Sequence, residues 1–243
     1  MKPERLDKIL SSQNIGTRRE VGKAIRAGRV SVNGQTVLRP EAKADAEGDA
    51  VCLDGTPLEV KNRLVLMMNK PSGVLSASRD PKAETVVDLL PKRWQRRGIF
   101  PAGRLDRDTE GLLILTDDGI LAHRMLAPKS HVEKWYEARL MSPVTEQDAA
   151  AFRAGLDLGE MVCLPAALSA LPCADGSAAL VALHEGKFHQ VKRMFRARGN
   201  CVLALRRVRI GGLPLDPDLG PGEARELSEG EIRKIFAGKQ SEK

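Results

Sequence analysis

An α+β architecture follows from three features of this 243-residue chain. Apolar runs of strand character recur along it, and helical patterns fall between them. Two tight-turn signals, Asn33-Gly34 and Asp54-Gly55, mark hairpins near the N-terminus. Hairpins mixed with intervening helices argue for a largely antiparallel sheet. A hydrophobic fraction of 42% supports a sizeable core, which the 3% aromatic content leaves to aliphatic residues.

The elements follow in order. Arg5 to Ser11 reads as a short helix with Leu6, Ile9 and Leu10 on one face. Thr17 suits the N-cap of a second helix, TRREVGKAIRAG, which Gly28 stops. RVSVNGQTV and DAVCLDGTPL then read as hairpins. A polar hinge at 59–63 separates a small domain, residues 1–60, from a larger one, residues 61–243. LVLMMN is a buried-strand candidate ended by Lys70-Pro71-Ser72-Gly73. Strand-like runs return at VEKWYEARL, AALVALHE and CVLALRRVRI, with helical patterns at TEQDAAAFRAGL and HQVKRMFRARG. A capping box, Ser228 with Glu231, opens a last short helix, and the closing GKQSEK is expected to fray.

Charge narrows the partner. Lys and Arg total 39 against 32 Asp and Glu, a net +7, which points to a polyanion and first to nucleic acid. Four separated cysteines without a CxxC pair argue against zinc and disulfides and for a reduced, cytoplasmic protein. No apolar run reaches the roughly 18 residues of a membrane-spanning helix. Arg18, Arg19, Lys23, Arg26 and Arg29 crowd the second helix against one acid, Glu20, which favours phosphate contacts over a solvated face. From Gly186 to Leu215 no acid occurs among Lys187, Lys192, Arg193, Arg196, Arg198, Arg206, Arg207 and Arg209. Within that stretch Lys187, His189, Gln190, Arg193 and Arg196 are the expected RNA contacts.

The chemistry-bearing stretch is FPAGRLDRDTEGLLILTDDG, residues 100–119. A metal site would need converging carboxylates, yet Arg104 and Arg107 interrupt them and compete for their oxygens. Asp117-Asp118-Gly119 reads as a turn. Flanking guanidinium groups would instead keep Asp106 ionised, as a nucleophile or general base. Local chemistry by itself favours the other reading, a salt-bridged loop. The histidines form no metal-ligand spacing. Tyr136, the only tyrosine, adjoins Trp135, and strand alternation points one ring inward. That ring is either core packing or a platform for a base drawn out of its stack.

NKPSGVLS (69–76), AGRLDRDTEGLLILTDDG (102–119) and EGKFHQVKRMF (185–195) together resemble the RsuA group of bacterial rRNA pseudouridine synthases. Residues 4–55 resemble the S4 RNA-binding domain. The resemblance implies that Asp106 is the catalytic nucleophile and that Arg104 helps evict and hold the target base. It implies that Tyr136 stacks on the uracil and that Lys192 pairs with the catalytic carboxylate. Related synthases often carry arginine there, and lysine keeps the charge without the bidentate fork. The implied reaction breaks N1–C1′ and rejoins the base through C5, which requires no cofactor and no metal. The HQVKRM form implies 16S rather than 23S rRNA, at the uridine numbered 516. The substrate would be free rRNA or a partly assembled small-subunit particle, and the enzyme a cytoplasmic monomer. Its rivals are a non-catalytic S4-type RNA-binding protein and a metal-dependent nuclease.

Overall fold

The computed structural model describes residues 3–237 apart from 14, 47, 59, 61–62, 96–97, 128–129 and 176. Most of the expected hinge at 59–63, and all of the closing GKQSEK, lie outside the described residues. The chain divides into two compact units, residues 1–64 with 90–99, and residues 65–89 with 100–243.

The first unit runs β1 (Glu4–Arg5), α1 (Leu6–Ser12), α2 (Arg18–Arg26), β2 (Val30–Val32), β3 (Gln35–Thr36), β4 (Lys43–Ala44), β5 (Val51–Leu53) and β6 (Thr56–Pro57), with α3 (Lys92–Gln95) added later. α1 starts at Leu6, one residue after the expected position, because Arg5 is extended and pairs with Lys43. Thr17 and Glu20 close a reciprocal capping box on α2. Asn33-Gly34 and Asp54-Gly55 all have positive φ, the two-residue turn that matches strand twist. Leu6, Ile9 and Leu10 of α1 pack on Val21 and Ile25 of α2, over Val30 and Val51.

The second unit contains β7 (Val65–Lys70), β8 (Phe100–Pro101), β9 (Glu110–Thr116), α4 (Gly119–Leu126), β10 (Lys134–Leu140), α5 (Glu146–Ala154), β11 (Ala167–Leu171), β12 (Ala178–Leu183), α6 (Gln190–Ala197), β13 (Val202–Ile210), β14 (Leu213–Pro214), β15 (Ala224–Glu226) and α7 (Glu229–Phe236). Its sheet has the order β11-β12-β10-β13-β9-β7-β15, with β8 beside β9 and β14 beside β13. Every pairing is antiparallel except β13 with β9, so the sheet is mixed and largely antiparallel as expected. Met67, Leu112 and Ile114 bury one face against Leu121 and Met125 of α4 and Ile232 and Ile235 of α7.

α4 was not anticipated. Asp118, read as part of a turn, is its N-cap and accepts from the amides of Ile120 at 2.9 Å and Leu121 at 3.0 Å.

Two details of β13 set the site. A Cβ on Gly111 (φ +95°) would meet the Arg207 carbonyl at 2.3 Å, so only glycine lets β9 run this close to β13. Against β10, Tyr136 pairs with Arg207 and Trp135 with Arg209, and Val208 is skipped as a bulge. Leu205, Arg207 and Ile210 therefore share the face of Tyr136, whereas Arg206, Val208 and Arg209 lie on the face of Trp135.

Candidate active site

Asp106 sits in the loop between β8 and β9, on a turn closed by the Thr109 amide donating to the Asp106 carbonyl at 3.1 Å. The segment after β7 clamps this loop. Ser76 Oγ donates to the Leu105 carbonyl at 2.8 Å and accepts from the Leu105 amide at 3.0 Å. Arg107 Nε donates to the Gly73 carbonyl at 2.8 Å, and the Gly73 amide donates back to the Arg107 carbonyl at 2.8 Å. Beneath them Lys70, fully buried, donates to the carbonyls of Pro71 at 3.0 Å, Arg107 at 3.1 Å and Thr109 at 2.9 Å. Burial pushes Lys70 down to about 8, against the pull of Asp108, Glu110 and Asp106. Lys70 was missed as a site residue. Its sequence signals are a lysine closing the apolar run LVLMMN and its place in NKPSGVLS.

α6 supplies the basic side chains that face Asp106. His189, its N-cap in the left-handed conformation, places Nε2 at 3.6 Å from Asp106 Oδ1. Lys192 Nζ lies 3.5 Å from Asp106 Oδ2 and 2.5 Å from Asp108 Oδ1. The expected pairing of Lys192 with the Asp106 carboxylate is present, but its short hydrogen bond goes to Asp108, whose carboxyl that bond holds below the usual range. The arginines that flank Asp106 in sequence form no ion pair with it. Arg107 is spent on Gly73, and Arg104 is exposed.

Asp106, Arg104 and Tyr136 line one recess together with Leu183, His189 and Leu205. A larger cavity of about 450 Å³ shares Arg104, Tyr136, Gly186 and Lys187 with that recess. Tyr136 is 8% exposed, and its hydroxyl accepts from Arg207 Nη1 at 3.4 Å. Trp135 points to the opposite face, where Arg209 lies 3.9 Å over its ring. The strand thus resolves the two rings as its alternation requires.

The structure gathers Arg104, Asp106, Tyr136, His189 and Lys192, which come from three separate segments of sequence. Others behave differently. Gln190 is buried, donates to Glu185 at 2.5 Å and accepts from the Lys187 amide at 3.0 Å. It braces the 185–190 turn and is not an RNA contact, because its amide is satisfied internally. Arg207, counted in the acid-free basic run, is 5% exposed and also not a surface phosphate contact. Acids neutralise part of that run: the nearby Glu185 meets Lys187, and two acids distant in sequence, Glu160 and Asp148, meet Arg193 and Arg198. In the first unit Arg18 is paired with Asp7 and Arg29 with Asp54. Among the described residues Arg19, Lys23 and Arg26 of α2, and Arg196 of α6, are exposed with no acidic partner.

A clamped carboxylate faced by an ammonium and an imidazole beside a cavity suits chemistry on a base. The RNA pseudouridylate synthase family model matches residues 64–197, and the S4 domain model matches residues 4–51. The chain belongs to the RNA pseudouridylate synthase family. Over 95% of its length the synthase is 43% identical to YtzG, an uncharacterised RNA pseudouridine synthase of Bacillus subtilis, covering 98% of that protein. It is 41% identical to ribosomal small subunit pseudouridine synthase A of Escherichia coli K12, over 95% of this chain and 99% of that one. A crystal structure of a pseudouridylate synthase superposes with a TM-score of 0.66 at 36% identity, covering 96% of this chain and 99% of the other.

Proposed function

We propose that this synthase isomerises one uridine of small-subunit ribosomal RNA, the uridine numbered 516, with Asp106 as the reactive carboxylate. The observation that carries the reading is the Asp106 carboxylate, held 3.5 Å from Lys192 and 3.6 Å from His189 beside Tyr136. Full-length similarity to the E. coli small-subunit enzyme supports the choice of rRNA. The target leaves its stack at a cost of a few kcal/mol, which phosphate contacts of the basic surface offset. Arg104 holds the vacated position, Tyr136 stacks on the uracil, and Asp106 opens N1–C1′ by attacking the ribose or taking a proton from it. The base turns and C5 bonds to C1′. Residues 1–60 act as the RNA-binding domain and residues 61–243 as the catalytic domain of a cytoplasmic monomer.

A map of pseudouridines in rRNA from cells lacking the protein tests this reading. Loss of the single modification at 516 is expected, restored by the wild-type chain but not by Asp106→Asn. Loss confined to large-subunit RNA would overturn the substrate assignment.

A further inference from the structure

The cavity beyond Tyr136 carries an excess of positive charge that the roles above do not use. Four cationic side chains line it, Arg104, Lys134, Lys187 and Arg207, against one acid, Glu185. Glu185 is already committed, to Lys187 at 3.0 Å, Gln190 at 2.5 Å and the Leu164 amide at 2.9 Å. Arg207 is braced by Nε donating to the Leu112 carbonyl at 2.8 Å, and its Nη2 is buried without a partner. Lys134, two residues before Tyr136 on β10, also lines the cavity, and no hydrogen bond from its ammonium is formed among the described residues. A buried cationic donor left unpaired costs stability, and the half-buried Lys134 adds a second cation to the same cavity, so the pair has a use for an anion there.

We propose that Lys134 and Arg207 bind the oxygens of the flipped uracil and carry the negative charge left on it when the glycosidic bond breaks. The inference rests on the reading of the chain as a uridine isomerase. When C1′–N1 breaks, both bonding electrons stay on N1, and the charge spreads over N1, O2 and O4 of the base. The electron-poor C1′ is met by the Asp106 carboxylate, or C2′ gives that carboxylate a proton. When C5 bonds to C1′, the carboxylate–C1′ bond breaks, or C2′ takes its proton back from the carboxyl; C5 then loses its proton and N1 takes one up, so the cycle is balanced. Donors fixed where charge develops stabilise the transition state more than the ground state. Burial, together with the neighbouring Arg207, pushes Lys134 down to about 8, as an ammonium without a counter-ion requires.

Lys134→Met is the variant to test, because Arg207 also braces β9 and its loss would disturb the sheet. Single-turnover isomerisation is measured on the rRNA transcript that the wild-type chain modifies. The same transcript carrying 5-fluorouridine at the target is run in parallel, read as loss of the N-glycoside from nuclease digests. Fluorine makes the base a better leaving group, so cleavage depends less on donors. Lys134→Met is expected to lower the uridine rate by about 100-fold and the 5-fluorouridine rate by much less. Tm should hold or rise, since an uncompensated cation is removed. Equal losses on both substrates, a rate unchanged from wild type, or a fall in Tm matching the loss of rate would overturn the inference. An inactive wild-type chain would overturn the functional reading itself.

Discussion

Asp7 and Asp106 are both carboxylates set among basic side chains, and they are held in opposite ways. Asp7, buried in the first unit, accepts from Arg5 at 3.1 and 2.9 Å and from Arg18 at 3.2 Å. Those bonds, Arg5 foremost, hold its carboxyl down at about 2. Asp106 has the Lys192 ammonium at 3.5 Å and the His189 ring at 3.6 Å, beyond hydrogen-bond length, and that ammonium is engaged by Asp108. A carboxylate whose lone pairs are filled is a strut. One that is steadied by charge yet left with open lone pairs can still attack.

Asp106→Asn should break the contrast most severely. Isomerisation should fall by on the order of 10⁴-fold or more, with RNA affinity retained in a filter-binding assay. Lys192→Met should come next, at about 100-fold in single turnover. Asp108→Asn should cost less than about tenfold, because it frees Lys192 to close on Asp106. A larger loss for Asp108→Asn would assign Asp108 a direct part in the reaction. Asp7→Asn should leave the rate constant intact and cost about 2 kcal/mol in denaturant unfolding, the loss of charge-assisted hydrogen bonds. The carboxyl of Asp7 is depressed on folding, so its contribution is complete above about pH 4 and disappears as pH falls toward 2. Wild type and Asp7→Asn should therefore converge in stability through that window. The smallest effect belongs to Arg19, Lys23 and Arg26. Replacing all three with alanine should flatten the salt dependence of RNA binding by two to three units of slope, roughly one per lost phosphate contact.

Much of the fold was legible locally. Both hairpins, the N-cap at Thr17, the capping box at Ser228 and the long strands depend on neighbours within four residues or on alternation, which a sequence displays. α4 was missed because Asp117-Asp118-Gly119 carries turn chemistry, and the same Asx side chain also serves as an N-cap. β15 pairs with β7 across more than 150 residues through three residues of its own, too few to show a period. The site was legible as motifs. The nearest charges to Asp106 in sequence, Arg104 and Arg107, are not those that face it in space. A loop reverses its side chains according to which backbone carbonyls its neighbours offer, and Lys70, Gly73 and Ser76 settle that.

The sequence by itself determined the α+β class, the basic character of α2 and the segments that carry the site, since propensity, pattern and motif are local. Only the tertiary structure decided which charges are free. Arg193 and Arg198 find their acids across the fold, and Gln190 turns inward. Arg207 faces the cavity beside Tyr136, and the residue skipped after it on β13 sends Arg209 to the opposite face. Register and burial depend on how strands meet, and a run of basic residues does not reveal which side of the sheet each will face.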